Sequence, residues 1–475
     1  MVFSSFVFLC IFLPVVLAAY FLCPQRWRNV VLLISSLIFY AWGEPIYLFL
    51  MLFSTVFDYA NGRMIEYFRQ RGSARAQKGV LILSVAVNLG LLGFFKYTDF
   101  AISNINRLFH GHWSLLELAL PIGISFYTFQ TLSYTIDVYR GRVEAQHSLL
   151  DFATYISMFP QLIAGPIVRY ADVQAELSAR RTDWELVRHG VCRFILGLGK
   201  KVLLANQIGL LYEELSGLEH TTTALAWLAI IAYTFQIYFD FSGYSDMAIG
   251  LGEIFGFHFP ENFRYPYESR SITEFWRRWH ISLGTWFREY LYIPLGGNRV
   301  KIPRQILNLL IVWALTGIWH GAGWNFLLWG LYYFILLVLE KFVLSGVLKK
   351  IPAWLCSVYT MFLVMLGWGI FATEDLSRLG GLLGAMFGAG SKMVGGMSGY
   401  YWRTHWVLLL ICALGATMLP KKAAESLFGN RKEVDAPVRT ACSRIALELF
   451  CIVILGLSIT FLVGDSYNPF LYFRF

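Results

Sequence analysis

Residues 306–333 read ILNLLIVWALTGIWHGAGWNFLLWGLYY, two apolar runs separated by the turn His320-Gly321-Ala322-Gly323. Neither run alternates polar with apolar residues as a barrel strand would. A helix apolar on every face belongs inside a large protein or in lipid, and the rest of the chain chooses lipid. It is 57% hydrophobic and only 15% charged over 475 residues, with a mean hydropathy of +0.56. So few charges cannot coat a soluble globule of that size. Comparable runs recur from end to end, and about 20 such residues cross a hydrocarbon core about 30 Å thick. Helices satisfy every backbone polar group there, so the expected fold is all-α, a polytopic membrane protein with about 11–12 transmembrane helices.

The runs place spans at 2–22, 29–42, 45–63, 79–95, 119–139, 186–212, 222–250, 305–319, 323–345, 353–372, 402–420 and 445–463. The basic loops around Arg26 and Arg28, Arg63 to Lys78, Arg140 and Arg142, Arg180 and Arg181, 252–304, Lys349 and Lys350, and Lys421 to Arg444 then all fall on one face. That face is cytoplasmic by the positive-inside bias. Both termini are expected on the other side, in the periplasm of a Gram-negative host, which makes the bacterial inner membrane the expected location. The same bias accounts for the net charge of +9 without any nucleic acid. The seven cysteines show no CxxC pairing or His-linked spacing, so no metal is expected and they read as packing residues. The first apolar run lacks a basic start and a small-residue cleavage site, and it reads as a span rather than a removable signal. With no fixed-period repeat and no soluble segment, 1–475 reads as a single membrane domain, with 464–475 as an outward-facing tail.

Two segments depart from plain spans. In DFATYISMFPQLIAGPIVRY (151–170), Pro160, Gly165 and Pro166 interrupt an apolar helix and suggest a broken or re-entrant element. Residues 252–304 are too polar to span and too aromatic to float free, and they should lie in the interface or dip into the bundle. Within them, TEFWRRWHISLGTWFREYLYIPLGG (273–297) sets Trp276, Trp279, His280, Leu283, Trp286, Phe287 and Tyr290 on one face of a single helix. An interfacial helix accounts for that pattern. So does a cationic mouth in which Arg264, Arg270, Arg277, Arg278 and Arg288 attract an anionic acyl donor such as a coenzyme A thioester.

His320 is the ionisable side chain most out of place. About 15 residues from Gln305 make the preceding helix short for the core at about 1.5 Å per residue, which puts the imidazole within the membrane. It reads either as a neutral packed histidine or as a base near pKa ~6.5 suited to take a hydroxyl proton. The flanking Trp319, Trp324, Asn325, Gly321 and Gly323 favour a shaped passage. Asp240 and Asp246, in YFDFSGYSDMAIG (238–250), read as donor-binding groups, as groups orienting His280, or as ion-pair partners of arginines in the neighbouring segment. Gln130, Tyr134 and Asp137 form a fainter stripe.

RYPYESRSITEFWRRWHISLGTWFREYLYIPLGGNR (264–299), LTGIWHGAGWNFLLWGLYY (315–333) and the opening MVFSSFVFLCIFLP (1–14) resemble the membrane-bound O-acyltransferases. Within that family they look like the alginate and peptidoglycan O-acetyltransferases of bacteria. The resemblance implies a ring of helices round a central tunnel, His320 essential for transfer and His280 a second characteristic polar position. It further implies acetyl-CoA as donor substrate with no permanently bound cofactor. The acetyl group would pass to a periplasmic esterase-like transferase of the SGNH type, which acetylates the polysaccharide. The tail SYNPFLYFRF (466–475) reads as an aromatic anchor at the outer surface, and it also resembles a terminal motif whose tyrosine, here Tyr472, relays the acyl group with His320 as its base. The rival expectations are D-alanyl or lipid acyl transfer on the same fold, a transporter or flippase without covalent chemistry, and an export scaffold.

Overall fold

The computed structural model describes residues 1–218, 222–389, 392–428, 437–464 and 470–471. These are helices and their connections, with no strand among the described residues. Each of the twelve expected spans overlaps a helix for most of its length, though 402–420 runs past the end of Gly396–Gly415. Seven helices are long and apolar enough to cross a membrane: Ala74–Phe109, Trp184–Ser216, Thr223–Ile254, Ile302–His320, Trp324–Leu348, Ala353–Ala372 and Arg444–Gly464. The 151–170 segment is broken as expected. Its helix Leu149–Ser157 stops at Met158, one turn follows at Phe159–Leu162, and the chain then turns at 163–165 and continues without helix to Tyr170–Ser178. Helices at Leu376–Met386 and Leu419–Phe428 had no counterpart among the expected spans.

The chain divides into two compact units. The first comprises Met1–Val191, Ala248–Glu261 and Thr285–Pro294. Phe3, Phe8, Phe12, Phe39 and Phe159 form a buried knot of rings in it, with centroids 5.0 to 6.4 Å apart. Two buried polar clusters of this unit are hydrogen-bonded, as burial in lipid demands. Asp58, on Tyr47–Gln70, accepts from Ser84 Oγ at 2.6 Å and Asn88 Nδ2 at 2.7 Å on Ala74–Phe109. Arg180 donates to Tyr20 Oη, to the Phe255 carbonyl and to Asn29 Oδ1, so one guanidinium ties three distant stretches of chain together.

The second unit comprises Cys192–Met247, Asn262–Gly284 and Leu295–Phe475. Its core is aromatic, with Trp329, Trp368, Tyr233 and Tyr333 fully buried. Helices Ile302–His320 and Trp324–Leu339 pack tightly as a hairpin, because a Cβ on Gly317 would strike the Phe326 carbonyl and one on Gly330 would strike that of Trp313. The first of these helices has 19 residues rather than about 15. At about 1.5 Å per residue it rises about 28 Å, close to the thickness of the core, so the expectation of a short helix is not met. The apolar run begins at Ile306, but the helix begins at Ile302 with Pro303 in its first turn, where a proline costs no hydrogen bond.

Candidate active site

The aromatic segment around His280 is two short helices, Ile272–Arg278 and Ile281–Phe287, and not one. The expected single face is therefore divided. Trp276 packs on Trp313, Trp329 and Tyr333, and Trp279 on Phe263, Tyr267 and Trp368. Trp286 stacks on Phe129 at 3.8 Å, and Tyr290 donates to Asp137 at 2.6 Å, both in the first unit. The break falls on His280, whose φ of 45° lies in the left-handed region that histidine seldom occupies. Asn262 accounts for it: its carbonyl accepts the Ile281 N–H at 3.0 Å, and its side chain lies against His280 and Ser282. Upstream, the helix Ile272–Arg278 is capped by Ser271 Oγ, which accepts the Glu274 N–H. The buried carboxylate of Glu340 accepts the N–H groups of Ile272 and Thr273 at 2.7 and 2.9 Å.

His280 is 2% exposed. Its Nδ1 lies 3.1 Å from Asn262 Oδ1, and its ring meets the edge of Phe241 at 4.7 Å. Burial pushes the imidazole down to about 3, so it is neutral at physiological pH.

His320 closes the helix Ile302–His320, at 6% exposure. Trp319, Trp329 and Phe371 stand edge-on round its ring at 5.0, 5.0 and 5.3 Å. Asn325 supports this wall by donating to the Phe371 carbonyl at 3.0 Å. A side chain at Gly321 would collide with the Phe326 ring, so the turn after His320 is tight by necessity. Trp319 also lies 6.1 Å from His280. One indole thus touches both imidazoles, and the two histidines singled out from sequence share one neighbourhood of the second unit. Trp324, by contrast, is 48% exposed.

Asp240 and Asp246 pair with cations upstream and not with arginines of 264–288. Lys201 lies 2.5 Å from Asp240, and Arg193 and Lys200 lie 3.0 and 2.6 Å from Asp246. Helix geometry explains the correction, since Trp184–Ser216 presents those cations directly to Thr223–Ile254. Asp240 also accepts the Leu471 N–H at 2.8 Å, and Phe470 packs on Lys201 and Tyr244. Tyr472 lies outside the described residues. Arg264, Arg270 and Arg277 are exposed, whereas Arg278 is held by Glu274 at 2.6 Å and Arg288, in the first unit, by Glu289 at 3.0 Å.

Asn262, Ser245, Ser282, Lys201 and Glu340 escaped the sequence reading. Each is an ordinary polar residue whose importance lies in a distant partner, although Lys201 and Glu340, charges inside apolar runs, carried a signal.

Comparison with known proteins gives a match to MBOAT, the membrane-bound O-acyltransferase family, over residues 142–374, a range that includes both histidines. The chain is 40% identical to the probable alginate O-acetylase AlgI of Pseudomonas aeruginosa, with all of both chains covered. It is 32% identical to the peptidoglycan O-acetyltransferase of Helicobacter pylori, over all of this chain and 98% of that one. A teichoic acid D-alanyltransferase of Bacillus subtilis is 28% identical over 46% of this chain and 59% of its own.

Proposed function

We propose a specific acetyl transfer for this chain, which belongs to the membrane-bound O-acyltransferase family and is a multi-pass membrane acyltransferase. Membership sets aside the transporter and scaffold alternatives. The donor is acetyl-CoA, drawn from the cytoplasm to the exposed Arg264, Arg270 and Arg277, and the acetyl group ends on an extracytoplasmic polysaccharide of the alginate or peptidoglycan kind. Full-length similarity to an alginate O-acetylase and a peptidoglycan O-acetyltransferase supports acetyl over D-alanyl, since two teichoic acid D-alanyltransferases match only 46% and 57% of this chain at 28% and 27% identity. The location is the inner membrane of a bacterium, with both termini periplasmic.

The observation that carries the mechanism is the placement of His320, buried among three aromatic rings at the end of its helix opposite Arg304. Such walls exclude water and fix the ring where a nitrogen can accept a proton. In the reaction His320 takes the proton of an acceptor hydroxyl while that oxygen attacks the thioester carbonyl. The carbon–sulfur bond then breaks and the thiolate leaves with the proton from the imidazolium, giving an acetyl ester and free coenzyme A. His280, neutral and one indole away, orients the donor or the proton path. Tyr472 is the candidate acceptor, passing its acetyl group to a periplasmic esterase-like partner. The docking of Leu471 on Asp240 supports a tail held to the same helix that bears Phe241, the neighbour of His280.

In cells, His320→Ala should remove base-labile acetate from secreted polysaccharide or cell wall while the protein still inserts. Normal acetylation in that strain would refute the reading, and loss of ester-linked D-alanine instead would move it to the D-alanyl alternative. Tyr472→Phe should block transfer in the same assay, and full activity would remove Tyr472 from the chemistry.

A further inference from the structure

Asn262 is fully buried and lies eighteen positions before His280, yet it makes four polar contacts with residues 280–282. Its Oδ1 faces three groups: the Ser282 backbone N–H at 3.3 Å, Ser282 Oγ at 2.9 Å and His280 Nδ1 at 3.1 Å. A backbone N–H can only donate, so the atom facing it must be the amide oxygen and the orientation of the side chain is fixed. The nitrogen of the amide then donates to Ser245 Oγ at 3.0 Å, on the helix Thr223–Ile254.

That orientation decides the chemistry of the imidazole. A ring nitrogen facing an oxygen acceptor at hydrogen-bond distance carries the proton, so Nδ1 is the N–H and Nε2 holds the lone pair. We propose that Asn262 is a positioning residue of the acyl-transfer site, fixing His280 as the Nδ1–H tautomer and anchoring its turn to the helix that carries Phe241 and Ser245. This rests on the reading that His280 belongs to that site. Asn262 touches no reacting atom, and it acts through the imidazole. The same contacts explain the left-handed backbone at His280: the carbonyl and the amide of Asn262 together fasten residues 280–282, which overrides the helical preference of the flanking sequence. An aspartate at position 262 would keep the acceptor but place a negative charge beside Nδ1–H, which favours the imidazolium.

The test uses the full-length protein in detergent or proteoliposomes, with acetyl-CoA as probe and turnover normalised to folded protein across pH. Asn262→Ala should lower turnover about 10- to 100-fold, the range for losing a partner that orients a histidine. Asn262→Asp should recover activity at alkaline pH and show an acid limb moved towards neutrality. Wild-type turnover and pH profile in both variants would overturn the proposal, as would losses that vanish on normalisation. His320→Ala in the same preparation separates the two claims. If it is inactive while Asn262→Ala is normal, only the role of Asn262 falls. If His320→Ala is active, the proposed function falls. Nitrogen-15 NMR of histidine-labelled protein gives an answer independent of the donor. The His280 signals, identified by their loss in His280→Gln, should report Nδ1–H in the wild type and change in Asn262→Ala. A protonated Nε2 with a bare Nδ1 in the wild type would contradict the assignment.

Discussion

Around His280 a polar set, the Asn262 amide, the Ser282 hydroxyl 3.5 Å away and, behind them, Ser245, joins the edge of Phe241. Around His320 the close contacts are rings, Trp319, Trp329 and Phe371, each edge-on. Polar contacts specify which nitrogen holds the proton, whereas aromatic packing specifies where the ring sits and keeps water from it. An imidazole that must give and take a proton within one turnover suits the second environment, and one that must hold a single state suits the first. Under the proposed function, that difference fits His320 to proton transfer and His280 to orientation.

The sharpest way to break that division is to remove each ring in turn. His320→Ala should lower acetyl-CoA turnover by about two to four orders of magnitude, the usual contribution of a positioned base. His280→Ala should cost less, and equal losses in a turnover assay would erase the distinction. Trp329→Ala tests the aromatic wall, since truncating a buried tryptophan costs about 3–5 kcal/mol and should lower the melting temperature in detergent markedly. Gly330→Ala should cost about 1–3 kcal/mol by the same measurement, because its Cβ would meet the Trp313 carbonyl. Acid probes the other side of the comparison. Because burial holds His280 well below its unfolded pKa, its contribution is present above about 6.5 and is lost as pH falls from there towards about 3. His280→Gln should flatten the acid dependence of stability over that window. The smallest effect is expected from Arg264, Arg270 and Arg277 changed together to glutamine. Exposed cations contribute at most about 1 kcal/mol each, so KM for acetyl-CoA should rise several-fold, more at low salt, with kcat little changed.

The helices were legible because hydrophobic runs of span length, repeated along a chain this poor in charge, fit only lipid, and His320 stood out as a candidate because an ionisable group amid such a run is costly. The break at His280 was not. Trp276 to Tyr290 fit a continuous helix, and the residue that interrupts it lies in a different stretch of polar sequence. The partners of Asp240 and Asp246 were misplaced for a related reason: arginines next along the chain were nearer in sequence, but Lys201, Lys200 and Arg193 are presented by the adjacent helix. The Leu376–Met386 helix, SRLGGLLGAM after its first leucine, is too glycine-rich and too short to register as an apolar run.

In the proposed function, departure of the acetyl group from coenzyme A at His320 is the central step. Proteoliposomes holding the purified protein, given radiolabelled acetyl-CoA on the face bearing the arginine-rich segment, should release free coenzyme A and yield hydroxylamine-labile label on the protein or on a hydroxyl acceptor supplied to the opposite face. His320→Gln, folded to the same extent, should do neither; equal label and equal thiol release from that variant would contradict a role for this imidazole in the transfer.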